Sequence, residues 1–206
     1  SGTGKTTSMR NFPEVGIINV LGKLLPFKNS MKYVVTDDYN NIKNVLYNCK
    51  SKSIVIDDSG YLMTNQFMRG HANVGVGNAM FNFYNSIGDS FWFLTEFVQK
   101  QLPADKIVYF VMHEEETDSG KIKPKTIGKL LDEKGNFEGR FTIALRSMVV
   151  DGRYVFKTQT DGTDVCKTPL GMFDELEIDN DLKVVDDTIR EYYNLNDNES
   201  EEKENE

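Results

Sequence analysis

The chain has 206 residues, 39% of them hydrophobic and 27% charged, with a formal net charge of −8. That length suits one α/β domain with a full core, or one domain plus a small appendage, and the composition reads as soluble and globular rather than disordered. No apolar run is long enough to span a bilayer, and Cys49 and Cys166 fit no metal spacing, so they read as free thiols in a reducing cytoplasm.

Ser1-Gly2-Thr3-Gly4-Lys5-Thr6 fits the last six positions of the phosphate-loop pattern G-x-x-x-x-G-K-[ST]. The first glycine and the strand that should lead into the loop are missing from the match, so the chain reads as a longer protein cut within its first motif. Lys5 to about Asn11 is expected to be the helix that follows the loop, stopped by Pro13. Gly16–Val20 reads as a buried strand and Lys32–Val35 as a second short one. Ile42, Val45, Leu46 and Cys49 share a helical face that Thr36 or Asp37 can cap. Ser53–Asp58, "SIVIDD", is the clearest strand: three β-branched residues, then two carboxylates. Gly60 to Asn78 is glycine-rich and gives no assignment; within it, Arg69–Asn78 reads as a mobile loop.

Phe81 to Gln101 carries Phe81, Tyr84, Ile87, Phe91, Leu94 and Val98 at three- and four-residue steps, which predicts a long helix ended by Pro103. Phe83, Trp92, Phe93 and Phe97 on it read as core or subunit interface rather than as base-stacking residues. Lys106–Met112 is a buried strand with His113 at its exit. One or two helical turns are expected over "IGKLL". Phe141–Ser147 and Arg153–Thr160 alternate like paired strands, and a last helix covers about Leu182 to Tyr193. Residues 196–206 hold six acidic side chains and one lysine, leaving −3 for the rest of the chain. This stretch reads as a disordered acidic tail after a single domain of residues 1–195. Alternating helices and β-branched runs predict an α/β fold with a mostly parallel sheet covered by helices, and an antiparallel hairpin at one edge.

The motifs point to phosphate chemistry. Glycines at 2 and 4 let backbone N–H groups turn inward around phosphates without a Cβ clash. Lys5 can reach the β- and γ-phosphates, the Thr6 hydroxyl can ligate Mg²⁺, and the helix start adds its positive end. Thr3 and Thr7 complete the nucleotide-binding stretch. Asp57 sits where a Walker B aspartate would hold magnesium through a water. Asp58 either polarises the attacking water or caps the next helix. His113 reads as a γ-phosphate sensor or as a hydrogen-bonded histidine at a strand end, and Glu114 is a second candidate for positioning water. Lys121, Lys123, Lys125 and Lys129 form a local basic cluster. It can touch the phosphates of single-stranded DNA, reach the nucleotide of a neighbour in a homo-oligomer, or be an ordinary solvated loop.

Five stretches, "SGTGKT", "SIVIDDSGYLM", "VYFVMHEEE", "KTIGKLLDEKGNFEGRFTIALRS" and "KTPLGMF…IDNDLKVVDDTIREYY", resemble bacteriophage AAA-type ATP-binding proteins related to RecA/RadA-like recombination ATPases. The resemblance covers the chain to about Leu195, and its specific part is Lys125 to Ser147. It implies a RecA-like core and ATP and Mg²⁺ as cofactors. It further implies a role in phage DNA replication, recombination or single-strand annealing with phage proteins in the host cytoplasm. By position it matches Gly2, Gly4, Lys5 and Thr6 to Walker A, Asp57 to Walker B and His113 to the polar residue after the sensor strand. The expected activity is a Mg-dependent ATPase. The alternatives are an ATP-dependent loader with little hydrolysis and, with no arginine-rich lid or acceptor motif to favour it, a nucleotide kinase.

Overall fold

The computed structural model describes residues 2–127, 131 and 137–195. The acidic tail, Lys129 and most of "IGKLL" lie outside the described residues. The central layer is a four-stranded parallel sheet of β1 (Gly16–Asn19), β2 (Val34–Val35), β3 (Ser53–Asp57) and β4 (Ile107–Phe110), in the order β2-β1-β3-β4. β3 is buried along its whole length, as expected of a β-branched run covered on both faces. β4 has an equally apolar sequence, yet each of its residues is only half-buried. It stands at the edge of the sheet, beside a cavity of about 400 Å³.

Three helices follow the strands. α1 (Tyr39–Asn48) and α3 (Asn78–Gln101) were expected, and α2 (Tyr61–Gly70) fills part of the unassigned stretch. The residues at the start of the expected mobile loop, Arg69 and Gly70, end α2, and a single 3₁₀ turn follows at His71–Asn73. The cap of α1 is neither Thr36 nor Asp37. Asp38 takes the extended N-cap conformation and accepts from the Asn41 N–H at 2.7 Å. On α3, Ile87, Phe91 and Leu94 are fully buried, while Phe81, in the first turn, is 65% exposed. Phe83, Trp92 and Phe97 pack against the core, and Phe93 faces outward.

A second sheet is antiparallel: β7 (Arg146–Val150), β8 (Arg153–Lys157) and β9 (Glu177–Asp179). The expected hairpin is therefore present but forms its own three-stranded sheet rather than an edge of the parallel one. A two-stranded ribbon, β5 (Glu114–Glu116) with β6 (Ile122–Pro124), was not foreseen. α4 (Leu182–Tyr192) packs Leu182, Val185 and Ile189 into a cluster with Met9, Phe12, Ile17 and Val55 on one face of the parallel sheet. The other face carries Ile18, Ile54, Ile56, Leu62, Ile87 and Phe91. Cys49 and Cys166 are free thiols. No helix among the described residues is long and apolar enough to cross a membrane.

Candidate phosphate site

The carboxyl ends of β1, β3 and β4 converge on residues 2–7. Gly2 and Gly4 both take positive φ, +82° and +86°, conformations that a side chain would strain. The segment after the loop is a six-residue 3₁₀ helix, Thr6–Asn11, and not the expected α-helix. Pro13 stops the chain before an α-helical ladder can develop.

Thr6 and Asp57, 51 residues apart, meet directly: the Thr6 hydroxyl lies 3.1 Å from both Asp57 carboxylate oxygens. Burial drives the Asp57 carboxyl up to about 6; the neighbouring Asp58 charge adds to this, and the Thr6 hydrogen bond opposes it. Asp58 takes a left-handed conformation, φ +57°, and so leaves the strand direction. One of its oxygens is 3.2 Å from Lys23 Nζ and the other 3.5 Å from His113 Nε2. The Asp58 side chain does not cap the next helix: the N-cap of α2 is Gly60, with no side-chain cap. The carboxylate faces the site, while the Asp58 carbonyl accepts from the Tyr61 N–H at the start of α2.

Local chemistry explains this convergence. Asn19 is level with Asp57 in the sheet. It accepts from the Gly22 N–H at 2.8 Å and donates to the Lys23 carbonyl at 2.6 Å. That tight loop carries Lys23 over the sheet to Asp58. The Ser59 N–H and hydroxyl both donate to the Val111 carbonyl, at 2.8 and 3.0 Å, which ties the exit of β3 to that of β4. His113 is thereby held beside Asp58 and edge-on to Tyr61, with ring centroids 5.8 Å apart. Burial lowers the His113 pKa, the Lys5 charge lowers it further, and Asp58 partly offsets both.

The other sequence candidates are placed differently. Both carboxylate oxygens of Glu114 are bonded to Arg146, at 2.8 and 3.2 Å, so Glu114 sits in an ion pair at the side of the site. Lys123 crosses the β5–β6 ribbon to Glu115 at 3.5 Å, while Lys121 and Lys125 are exposed. With Glu114, Glu115, Glu116 and Asp118 interleaved, this ribbon is not a uniformly basic surface. Thr7 lies in the 3₁₀ segment, where its carbonyl accepts from Arg10. Sequence reasoning missed Lys23, which reaches Asp58, and Ser147 and Asn180, which reach the loop; no spacing in the sequence marks them.

Compared with known proteins, the chain matches no family model, no curated protein and no solved structure. Among the described residues there is no group of three or more His, Cys, Asp or Glu side chains placed to hold a metal ion. The Thr6 hydroxyl and Asp57 carboxylate are nonetheless hard oxygen donors of the kind magnesium takes from one or two protein groups, with waters and phosphates completing the shell.

Proposed function

We propose that this chain is a RecA-like P-loop nucleoside triphosphatase that binds ATP with Mg²⁺ and serves phage DNA recombination, annealing or replication. The observation that carries the nucleotide reading is the meeting of Thr6 and Asp57. A phosphate-loop threonine and a strand-end aspartate have reason to share one spot if both serve the same cation. Gly2 and Gly4 turn the loop, and Lys5 supplies positive charge for the β- and γ-phosphates. Bound Mg²⁺ would neutralise charge on those phosphates. Asp57 and the Thr6 hydroxyl would hold that cation, and Asp57 would do so as the ionised carboxylate. Asp58 orients the water, with His113 beside it. The DNA role rests on the resemblance of the quoted stretches.

A second reading, nucleotide-dependent binding with little turnover, is favoured by one feature. Asp58 is engaged by Lys23 and His113, and Glu114 by Arg146, so each candidate base already has a partner. Calorimetry with MgATP tests the site itself: Lys5→Ala should weaken binding at least a hundredfold, and equal affinity would overturn the assignment. Turnover with and without single-stranded DNA then separates the two readings. DNA stimulation supports the ATPase, and tight binding without turnover supports the loader.

A further inference from the structure

The antiparallel sheet reaches the phosphate loop through two residues outside the motif. The Ser147 hydroxyl, on β7, donates to the Thr3 carbonyl. The Asn180 side-chain amide, just after β9, donates to that same Ser147 oxygen at 3.2 Å. The Asn180 backbone carbonyl accepts from Arg10 at 2.6 Å, fixing the segment that follows the loop. Asn180 is 2% exposed, and its Oδ1 has no hydrogen-bond partner among the described residues. That oxygen stands against Gly4: a Cβ built there would lie 2.9 Å from it and 2.9 Å from the Tyr154 ring.

Buried polar groups are almost always paired, and an exception asks for a reason. Here the orphaned carbonyl stands against a loop glycine held at positive φ. An aspartate at 180 would lose the donor to Ser147. A larger residue would push Gly4 outward.

We propose that Asn180 is the positioning residue of the phosphate loop. It presents Ser147 to the Thr3 carbonyl and forms the wall against which Gly4 turns, so the antiparallel sheet sets the shape of residues 2–6. Its ligand, a nucleoside triphosphate, rests on the function proposed above, but its first test does not.

That test is amide hydrogen exchange on the nucleotide-free protein. Asn180→Ala should speed exchange in the loop peptide about tenfold and leave the β3 peptide unchanged. Asn11→Ala serves as the control. It removes the nearby 2.5 Å bond from Asn11 to Asp181 without touching the loop, and loop exchange should stay as in the parent. Asn180→Ala should also raise the KM for MgATP about tenfold with kcat kept, because the chemical groups are intact. Ser147→Ala should reproduce both effects, and the double variant should add little to either single one.

Unchanged loop exchange in folded Asn180→Ala would overturn the proposal, as would equal loosening by Asn11→Ala. If Asn180→Ala does not fold, Ser147→Ala decides; failure of both to fold would also overturn it, because the pair would then hold up the whole domain. If the parent binds no MgATP while loop exchange responds as expected, the positioning role stands and the nucleotide reading falls.

Discussion

The two ends of β3 treat buried charge in opposite ways. At its amino end, Asp186 of α4 is fully matched. One oxygen accepts from the Ser53 and Tyr109 hydroxyls at 2.6 and 2.7 Å, and the other from Arg190 Nε at 2.7 Å. Arg190 in turn reaches Ser53 Oγ at 2.6 Å and the Asp105 carbonyl at 3.1 Å. At its carboxyl end, Asp57 is equally buried and has the Thr6 hydroxyl as its side-chain partner. The first arrangement locks a helix to the sheet. The second leaves a carboxylate short of positive charge, a deficit that a cation would fill. Completeness of pairing, rather than burial, is what separates the structural end of this sheet from the candidate functional end.

Removing one member at the structural end should produce the largest effect. Asp186→Ala strands the Arg190 guanidinium and should cost about 3–5 kcal/mol, lowering Tm on the order of 10 °C. A loss under about 1 kcal/mol in denaturant melts would erase the contrast. Asp57→Asn should act in the opposite direction. The native state holds the Asp57 proton up to about pH 6, against 3.8 for an ordinary aspartate. The Asp57 contribution to native stability is therefore greatest below the lower value, falls as pH rises between the two, and is flat above. Replacing Asp57 by Asn should remove that slope and stabilise the nucleotide-free protein by roughly 2–3 kcal/mol at pH 7, while removing magnesium-dependent turnover. A destabilised Asp57→Asn at pH 7 would mean that the carboxylate is already satisfied.

Much of this contrast was legible beforehand, and its limits are physical. The Thr6–Asp57 meeting follows from a phosphate-loop sequence pattern and an apolar strand ending in aspartate. Both are local patterns whose partners topology brings together. Asp186 and Arg190 are legible only as members of a helix, because nothing in "KVVDDTIREYY" says which acid turns inward. Lys23 and Asn180 arrive by loop geometry, which leaves no period to read. The lysine cluster was legible only in part for a related reason: spacing along the chain showed Lys121, Lys123 and Lys125 together, but not the strand of glutamates that folds back against them.

Smaller effects sharpen the comparison further. Asp58→Asn should leave stability within about 1 kcal/mol, since the side chain lies at the site's open face and asparagine tolerates the same backbone. MgATP affinity should stay within a few-fold and turnover should fall at least tenfold; unchanged turnover would remove Asp58 from the chemistry. Smallest of all is the ribbon. If it contacts single-stranded DNA, changing Lys121 and Lys125 to Gln should flatten the salt dependence of binding by ~1.4 in log–log slope, at about 0.7 per contact. Lys123→Gln should add little, because Glu115 already compensates that charge. An unchanged slope in a salt titration, with turnover also unchanged, would make this an ordinary solvated hairpin.

The left-handed turn at Asp58 limits which sequences can occupy the position at all. At φ +57°, glycine, asparagine and aspartate fit readily, and β-branched residues do not. A library randomised at this codon would therefore be filtered first by backbone shape and only afterwards by chemistry. Survivors selected for folding alone should be rich in Gly, Asn and Asp. Survivors selected for turnover should narrow to the acid within that set. Descendants of this protein can thus lose the charge at residue 58 by a single step to asparagine while keeping the turn, so charge and backbone shape at this position can change separately.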